Sequence, residues 1–156
     1  MLRYPIRTGD RIVNRSAIDW DALVDAATDA RSNAYVPYST FPVGAAILTG
    51  SGRIVVGCNV ENASFGLCIC AERVAVDTMV ASGEREIRAI AVVTGAPSPT
   101  PPCGMCRQVL AEFAQDIPIH LASTVPGTMA RTTSLAKLLP DAFRGDMLPS
   151  HEGGAS

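Results

Sequence analysis

Two cysteine motifs restrict this fold more than anything else in the chain, because they have to meet. Cys103-Gly104-Met105-Cys106 is a C-x-x-C preceded by Pro101-Pro102. On a helix, residues three apart share a face, so both sulfurs can reach one ion. The two prolines set an extended approach, which places the helix start at the first thiol. There the backbone N–H groups and the positive helix end lower thiol pKa values and favour thiolate, the form that binds metal. A lone C-x-x-C also suits a redox pair of the thioredoxin kind. Zinc is the preferred reading, and the rest of the ligand set must come from elsewhere in the chain.

The other thiols are Cys58, Cys68 and Cys70, and there is no second C-x-x-C. Structural zinc takes four protein ligands, whereas catalytic zinc takes three and leaves a place for water. In Cys68-Ile69-Cys70-Ala71-Glu72-Arg73, neighbouring helical positions would turn by about 100° per residue. Cys70 and Glu72 line one pocket only if the helix begins at Cys70, where the dihedrals are not yet helical. Cys68 then precedes the helix and reads as a small buried residue, as does Cys58 inside a strand. With Cys70, Cys103 and Cys106 as ligands, bound zinc lowers the pKa of water from 15.7 to about 7. Glu72 stands beside the open position as a proton carrier. Arg73 offsets the negative cluster by hydrogen bonding to sulfur. Taken singly, Glu72 is an acid suited to a helix N-terminus and Arg73 a surface charge; with the thiols, both read as parts of a site.

The remaining sequence says what surrounds that site. The chain has 156 residues, 47% hydrophobic and 18% charged, with a net charge of −2. That length suits one domain with its own core. No apolar run reaches the ~20 residues of a membrane span, and no secretory h-region is visible, so a cytoplasmic location is expected. Basic residues do not cluster, which argues against a nucleic-acid partner and leaves a small-molecule substrate open. An odd number of cysteines makes a disulfide framework an unsuitable reading.

Trp20, Leu23, Val24 and Ala27 fall at helical spacing, predicting a helix from about Asp19 to Asn33. Val43–Thr49 and Arg53–Val60 form a hairpin about Gly50-Ser51-Gly52. A helix follows from Cys70 to Ser82, ended by Gly83, then a buried strand over Ile87–Thr94. The second metal-site helix runs from Cys103 to about Phe113, with strands at Ile117–Ala122 and Met129–Thr133 and a short helix over Leu135–Leu139. Alternating strands and helices predict an α/β fold, a three-layer α-β-α sandwich around a mixed sheet of about five strands. Residues 1–18 read as an N-terminal arm, 19–148 as a single catalytic domain and 149–156 as a disordered tail.

Cys70-Ala71-Glu72 followed by Pro102-Cys103-Gly104-Met105-Cys106 resembles the signature of the zinc-dependent nucleoside and nucleobase deaminases. Its all-cysteine ligand set is similar to that of the homotetrameric cytidine deaminases. Tyr38 to Ala46, Gly57 to Gly66, Cys103 to Gln108 and Leu138 to Phe143 extend the resemblance over most of the chain. It implies one Zn²⁺ per chain on Cys70, Cys103 and Cys106, with Glu72 as the proton shuttle. It also implies hydrolytic deamination of cytidine and 2′-deoxycytidine by a zinc-activated hydroxide, in pyrimidine salvage. Asn59 and Glu61 would hydrogen-bond the ribose, chiefly its 3′-hydroxyl, although on their own they read as solvent-facing strand polars. Residues two apart on a strand do project on one face. Phe41 would stack on the pyrimidine, where by itself it reads as a core aromatic, and the Ala71 backbone would meet the base edge.

By the same resemblance, pockets are shared between subunits of a homotetramer, and Phe65 and Phe143 match the residues a neighbour contributes. Tyrosine is usual where this chain has Phe65. Two alternatives stand beside this expectation. One is a deaminase of cytosine-containing aminonucleoside antibiotics, which differs in the Asn59-Val60-Glu61-Asn62 segment. The other is a non-catalytic zinc-stabilised module, which would recruit Cys68 or Cys58 as a fourth ligand.

Overall fold

A computed structural model describes residues 17–148. The expected N-terminal arm up to residue 16 and the expected tail over 149–156 lie outside the described residues. The element order is α1 (Trp20–Arg31), β1 (Gly44–Thr49), β2 (Ile54–Cys58), α2 (Ala71–Ala81), β3 (Ile87–Thr94), α3 (Gly104–Phe113), β4 (Pro118–Ser123), β5 (Arg131–Ser134) and α4 (Leu135–Leu138). The five strands form one sheet in the order β2-β1-β3-β4-β5. β1 runs antiparallel to both β2 and β3, β3 parallel to β4, and β4 antiparallel to β5.

The sheet is covered on both faces, which is why β1 is buried at every position rather than at alternate ones. Ala45 and Ile47 of β1, with Ile90 and Val92 of β3, meet Ala75, Val76, Met79 and Leu110 of α2 and α3. Ala46 and Leu48, with Ala89, Ala91 and Val93, meet Leu23 and Ala27 of α1. These are the three layers the alternating pattern predicts. Small residues dominate the α1 face, and a Cβ on Gly44 would lie 1.9 Å from the Ala27 carbonyl.

Element boundaries follow local chemistry. Asp19 caps α1, its Oδ1 accepting from the Ala22 N–H at 3.0 Å. The strand expected to reach Val60 stops at Cys58: the Val43 N–H that would continue the ladder goes to Asn59 Oδ1, and the Asn59 carbonyl accepts from the Tyr35 N–H instead. Beyond it Val60 makes single bridges, parallel to Tyr35 and antiparallel to Ile69. A 3-10 turn over Phe65–Leu67, absent from the expectation, folds the following loop.

β2 and β3 each oppose β1, so β2, β3 and β4 all point the same way. The helices that follow β2 and β3 therefore start at the same end of the sheet. In open α/β sheets the crevice outside the strand carboxyl ends is where ligands bind. α2 lies so close to β2 that a Cβ on Gly57 would sit 2.3 Å from the Ala75 nitrogen and 2.5 Å from the Ala71 carbonyl. Both are backbone atoms, so Gly57→Ala has to move the helix that carries Glu72. The expected result is a loss of about 1–3 kcal/mol, read as a fall of several degrees in Tm. An unchanged Tm would show that α2 shifts freely along β2.

Candidate metal centre and pocket

Cys70 and Cys103 are the residues immediately before α2 and α3. Both keep extended dihedrals, φ −76° and ψ 154° for Cys70 and φ −66° and ψ 169° for Cys103. This is the arrangement the sequence requires, with Cys70 outside the helix and Ala71 inside it. Neither cap makes a side-chain hydrogen bond to its helix, so both sulfurs are free to turn elsewhere. They turn toward each other. The Cys70 and Cys103 sulfurs are 3.9 Å apart and those of Cys103 and Cys106 3.4 Å. All three ligand atoms lie within 4.8 Å of one another. Thiolates at ~2.3 Å around a tetrahedral zinc stand about 3.8 Å apart, so the cluster is already at the spacing the ion needs. Soft sulfur donors suit zinc, one of the metals that thiolate sites favour.

The thiols differ sharply in surroundings. Cys106 is fully buried and Cys103 exposed. The Cys106 thiol beside Cys70 is the main influence lowering the Cys70 pKa to about 6, helped by Cys103 and the Arg73 charge and opposed by burial. Cys106 is correspondingly pushed up, first by Cys70 and then by burial. The two shifts are opposite because the thiols lie against each other. Arg73 acts on it through its charge; among the described residues it makes no hydrogen bond to sulfur, which the sequence reading had supplied.

Glu72 occupies the second position of α2 and is 5% exposed. Burial pushes its carboxyl above the usual range, and the negative Cys70 pushes the same way. A buried carboxyl biased toward holding a proton thus stands two residues from Cys70 at the start of α2.

These groups open into a cavity of about 320 Å³, of the size that takes a small molecule. Cys70, Ala71, Glu72 and Cys103 line it, as do Phe41, Asn59 and Glu61. Seven residues singled out from separate stretches of the sequence thus share one wall. Cys106 completes the thiol cluster from behind. Phe65 and Phe143 do not line this cavity; they are 73% and 58% exposed, and Phe65 packs edge-on against Tyr38 at 5.8 Å. Cys68 lines the wall without joining the cluster, its sulfur engaged by the Asn62 N–H at 3.4 Å and the Asn62 carbonyl at 3.6 Å. Cys58, in β2, is likewise outside the cluster, so among the described residues no fourth thiol closes the site.

Ser39, Val92, Thr94, Thr100 and Pro101 also line the cavity, though none was singled out as a site residue. Only the nearness of Ser39 to Phe41, and of Thr100 and Pro101 to Cys103, pointed to them. The Arg107-Gln108 pair after the C-x-x-C has a purpose visible only in three dimensions. Arg107 donates to the Pro102 and Leu138 carbonyls, both at 2.8 Å, and Gln108 to the Phe143 carbonyl at 2.6 Å. They tie the approach to Cys103 to the segment bearing Phe143.

The family described as the cytidine and deoxycytidylate deaminase zinc-binding region matches residues 19–120, more than half of the chain. The chain belongs to this family. A cytidine deaminase of Sporosarcina psychrophila is 46% identical over 127 residues, covering 81% of this chain and 92% of the relative. The crystal structure of a cytidine deaminase from Burkholderia pseudomallei matches with TM-score 0.76 and 48% identity, over 81% of this chain and all of that one. That from Mycobacterium tuberculosis matches with TM-score 0.70 and 46% identity, over 81% and 98%. Deaminase membership and the three-thiol cluster agree on zinc as the cofactor. Among the described residues no helix is long and apolar enough to cross a membrane.

Proposed function

We propose that this deaminase hydrolyses the 4-amino group of cytidine and 2′-deoxycytidine, giving uridine or 2′-deoxyuridine and ammonia. The observation that carries the proposal is a single cavity lined by Cys70 and Cys103 of the three converging thiols, a buried Glu72, Phe41, Asn59 and Glu61. Cys70, Cys103 and Cys106 would hold zinc, which when bound supplies a Lewis acid that makes water acidic enough to attack near neutral pH. Glu72 moves the protons: it takes one from the attacking water and gives it to ring N3, then takes the second proton from that oxygen, now bonded to C4, and hands it to the departing amine as the C4–N bond breaks. Phe41 stacks on the ring and the Ala71 N–H, at the open start of α2, meets its polar edge. Asn59 and Glu61 face the sugar hydroxyls. Five free thiols suit a reducing compartment, and the cytoplasm is the proposed location.

The deciding experiment follows the loss of nucleoside absorbance with cytidine, deoxycytidine, free cytosine and blasticidin S, alongside zinc content. Turnover of the two nucleosides alone, with one zinc per chain, is the expected result. Turnover of blasticidin S alone would move the assignment to an antibiotic deaminase. Full zinc with no turnover would leave a metal module.

The exposure of Phe65 and Phe143 supports a homotetramer in which each completes a neighbour's pocket. Light scattering should then give the mass of four chains. Phe143→Ala is expected to raise KM about threefold to tenfold, the scale of one aromatic contact, with zinc content unchanged. A monomer with wild-type KM in this variant would exclude shared pockets.

A further inference from the structure

Thr40 has φ of 54°, the positive value among the described non-glycine residues. A β-branched side chain rarely takes that conformation, and it persists where the surroundings over-determine the backbone. Two side chains supply that constraint. Glu61 Oε2 accepts from the Tyr38 and Ser39 N–H groups at 2.9 and 3.2 Å. Asn59 Oδ1 accepts from the Val43 N–H at 2.8 Å, and Asn59 Nδ2 donates to the Phe41 carbonyl at 3.0 Å. The four bonds bracket Thr40 and Phe41 from both sides. Inside the bracket, the Thr40 N–H donates to the Val36 carbonyl and the Phe41 N–H to Ser39 Oγ, both at 3.1 Å. Phe41 itself is 38% exposed at the cavity wall, so the backbone that carries it helps set where its ring lies.

We propose that Asn59 and Glu61 are positioning residues for Phe41: they latch the Tyr38–Val43 segment and so set the ring that closes the cavity. This goes beyond the sugar contacts assigned to them above, and its substrate arm rests on that deaminase reading. A sugar hydroxyl reaching these side chains meets groups already committed to the loop. Recognition of the sugar and placement of the base are therefore coupled through the same two residues.

A side chain that only meets the 2′- and 3′-hydroxyls is silent toward a substrate without those two groups. The test measures kcat/KM of the zinc-loaded full chain for cytidine and for 2′,3′-dideoxycytidine in wild type, Glu61→Ala and Glu61→Gln. Amide hydrogen exchange over residues 38–43 is followed in the same three proteins without substrate. Glu61→Ala should lower kcat/KM for dideoxycytidine by about tenfold or more, the loss of charge-assisted hydrogen bonds, and speed exchange at Tyr38 and Ser39. Glu61→Gln keeps an oxygen that accepts from both N–H groups, so it should recover much of the dideoxycytidine rate and slow the exchange again. If Glu61→Ala spares dideoxycytidine while impairing cytidine, or leaves exchange over 38–43 unchanged, the latch is overturned. If wild type turns over neither nucleoside, the deaminase reading fails, and hydrogen exchange alone decides the latch.

Discussion

Glu72→Gln should retain one zinc per chain and lose about 10²- to 10⁴-fold in kcat, the range attributed to a positioned acid–base group. The substitution keeps the volume of a side chain that is 5% exposed, so packing around the start of α2 survives. What disappears is a group able to take a proton and give it back. Because Gln has neither charge nor exchangeable acidity, the loss should fall on kcat more than on KM. Steady-state kinetics with zinc analysis on the same preparation reads both quantities. Near-wild-type kcat at full zinc would remove Glu72 from proton transfer and leave it as an acid at a helix start.

Cys103→Ala should act differently, through the metal and the fold together. Its sulfur is the one within 3.9 Å of Cys70 and 3.4 Å of Cys106, and so joins the two helix starts. Neither Cys70 nor Cys103 caps its own helix by a side-chain hydrogen bond. A bound ion would instead tether the two cap residues to each other, and its loss would let both first turns fray. A metal present at 1,000 times its Kd stabilises by about 4 kcal/mol, which in a domain of this size is roughly 8–16 °C of Tm. The variant should show little zinc and melt near chelator-treated wild type. Full zinc with an unaltered Tm would take Cys103 out of the ligand set.

Much of this site could be read from the sequence because its chemistry is local. Cys70 had to precede its helix for Glu72 to share a pocket with it, and α2 does begin at Ala71. The strand Ile87–Thr94 was legible to the residue, since eight residues rich in Ile and Val between turn-forming segments are too short for a typical buried helix. What could not be read is whatever depends on partners distant in sequence. Asn59 and Glu61 were placed on a strand, but β2 ends at Cys58 and their side chains hold the loop around Phe41. Periodicity carries no information about a left-handed Thr40, nor about Cys68 engaging Asn62. The parallel pairing of β3 with β4 is equally silent, because it needs the whole crossover through α3 to form.

The bridges at Val60 bear on which parts of this chain can change length. Tyr35, Val60 and Ile69 come from three stretches and are stitched by four backbone hydrogen bonds, Tyr35 to Asn59, Glu61 to Tyr35, and Val60 and Ile69 to each other. An insertion between any two of them would move Phe41, Glu61 or Cys70 out of register with the others. The turn at Pro126-Gly127 joins β4 to β5 with exposed residues and touches none of the cavity. Lineages and engineers alike have room to lengthen that turn, while the segments flanking Val60 are held to their count.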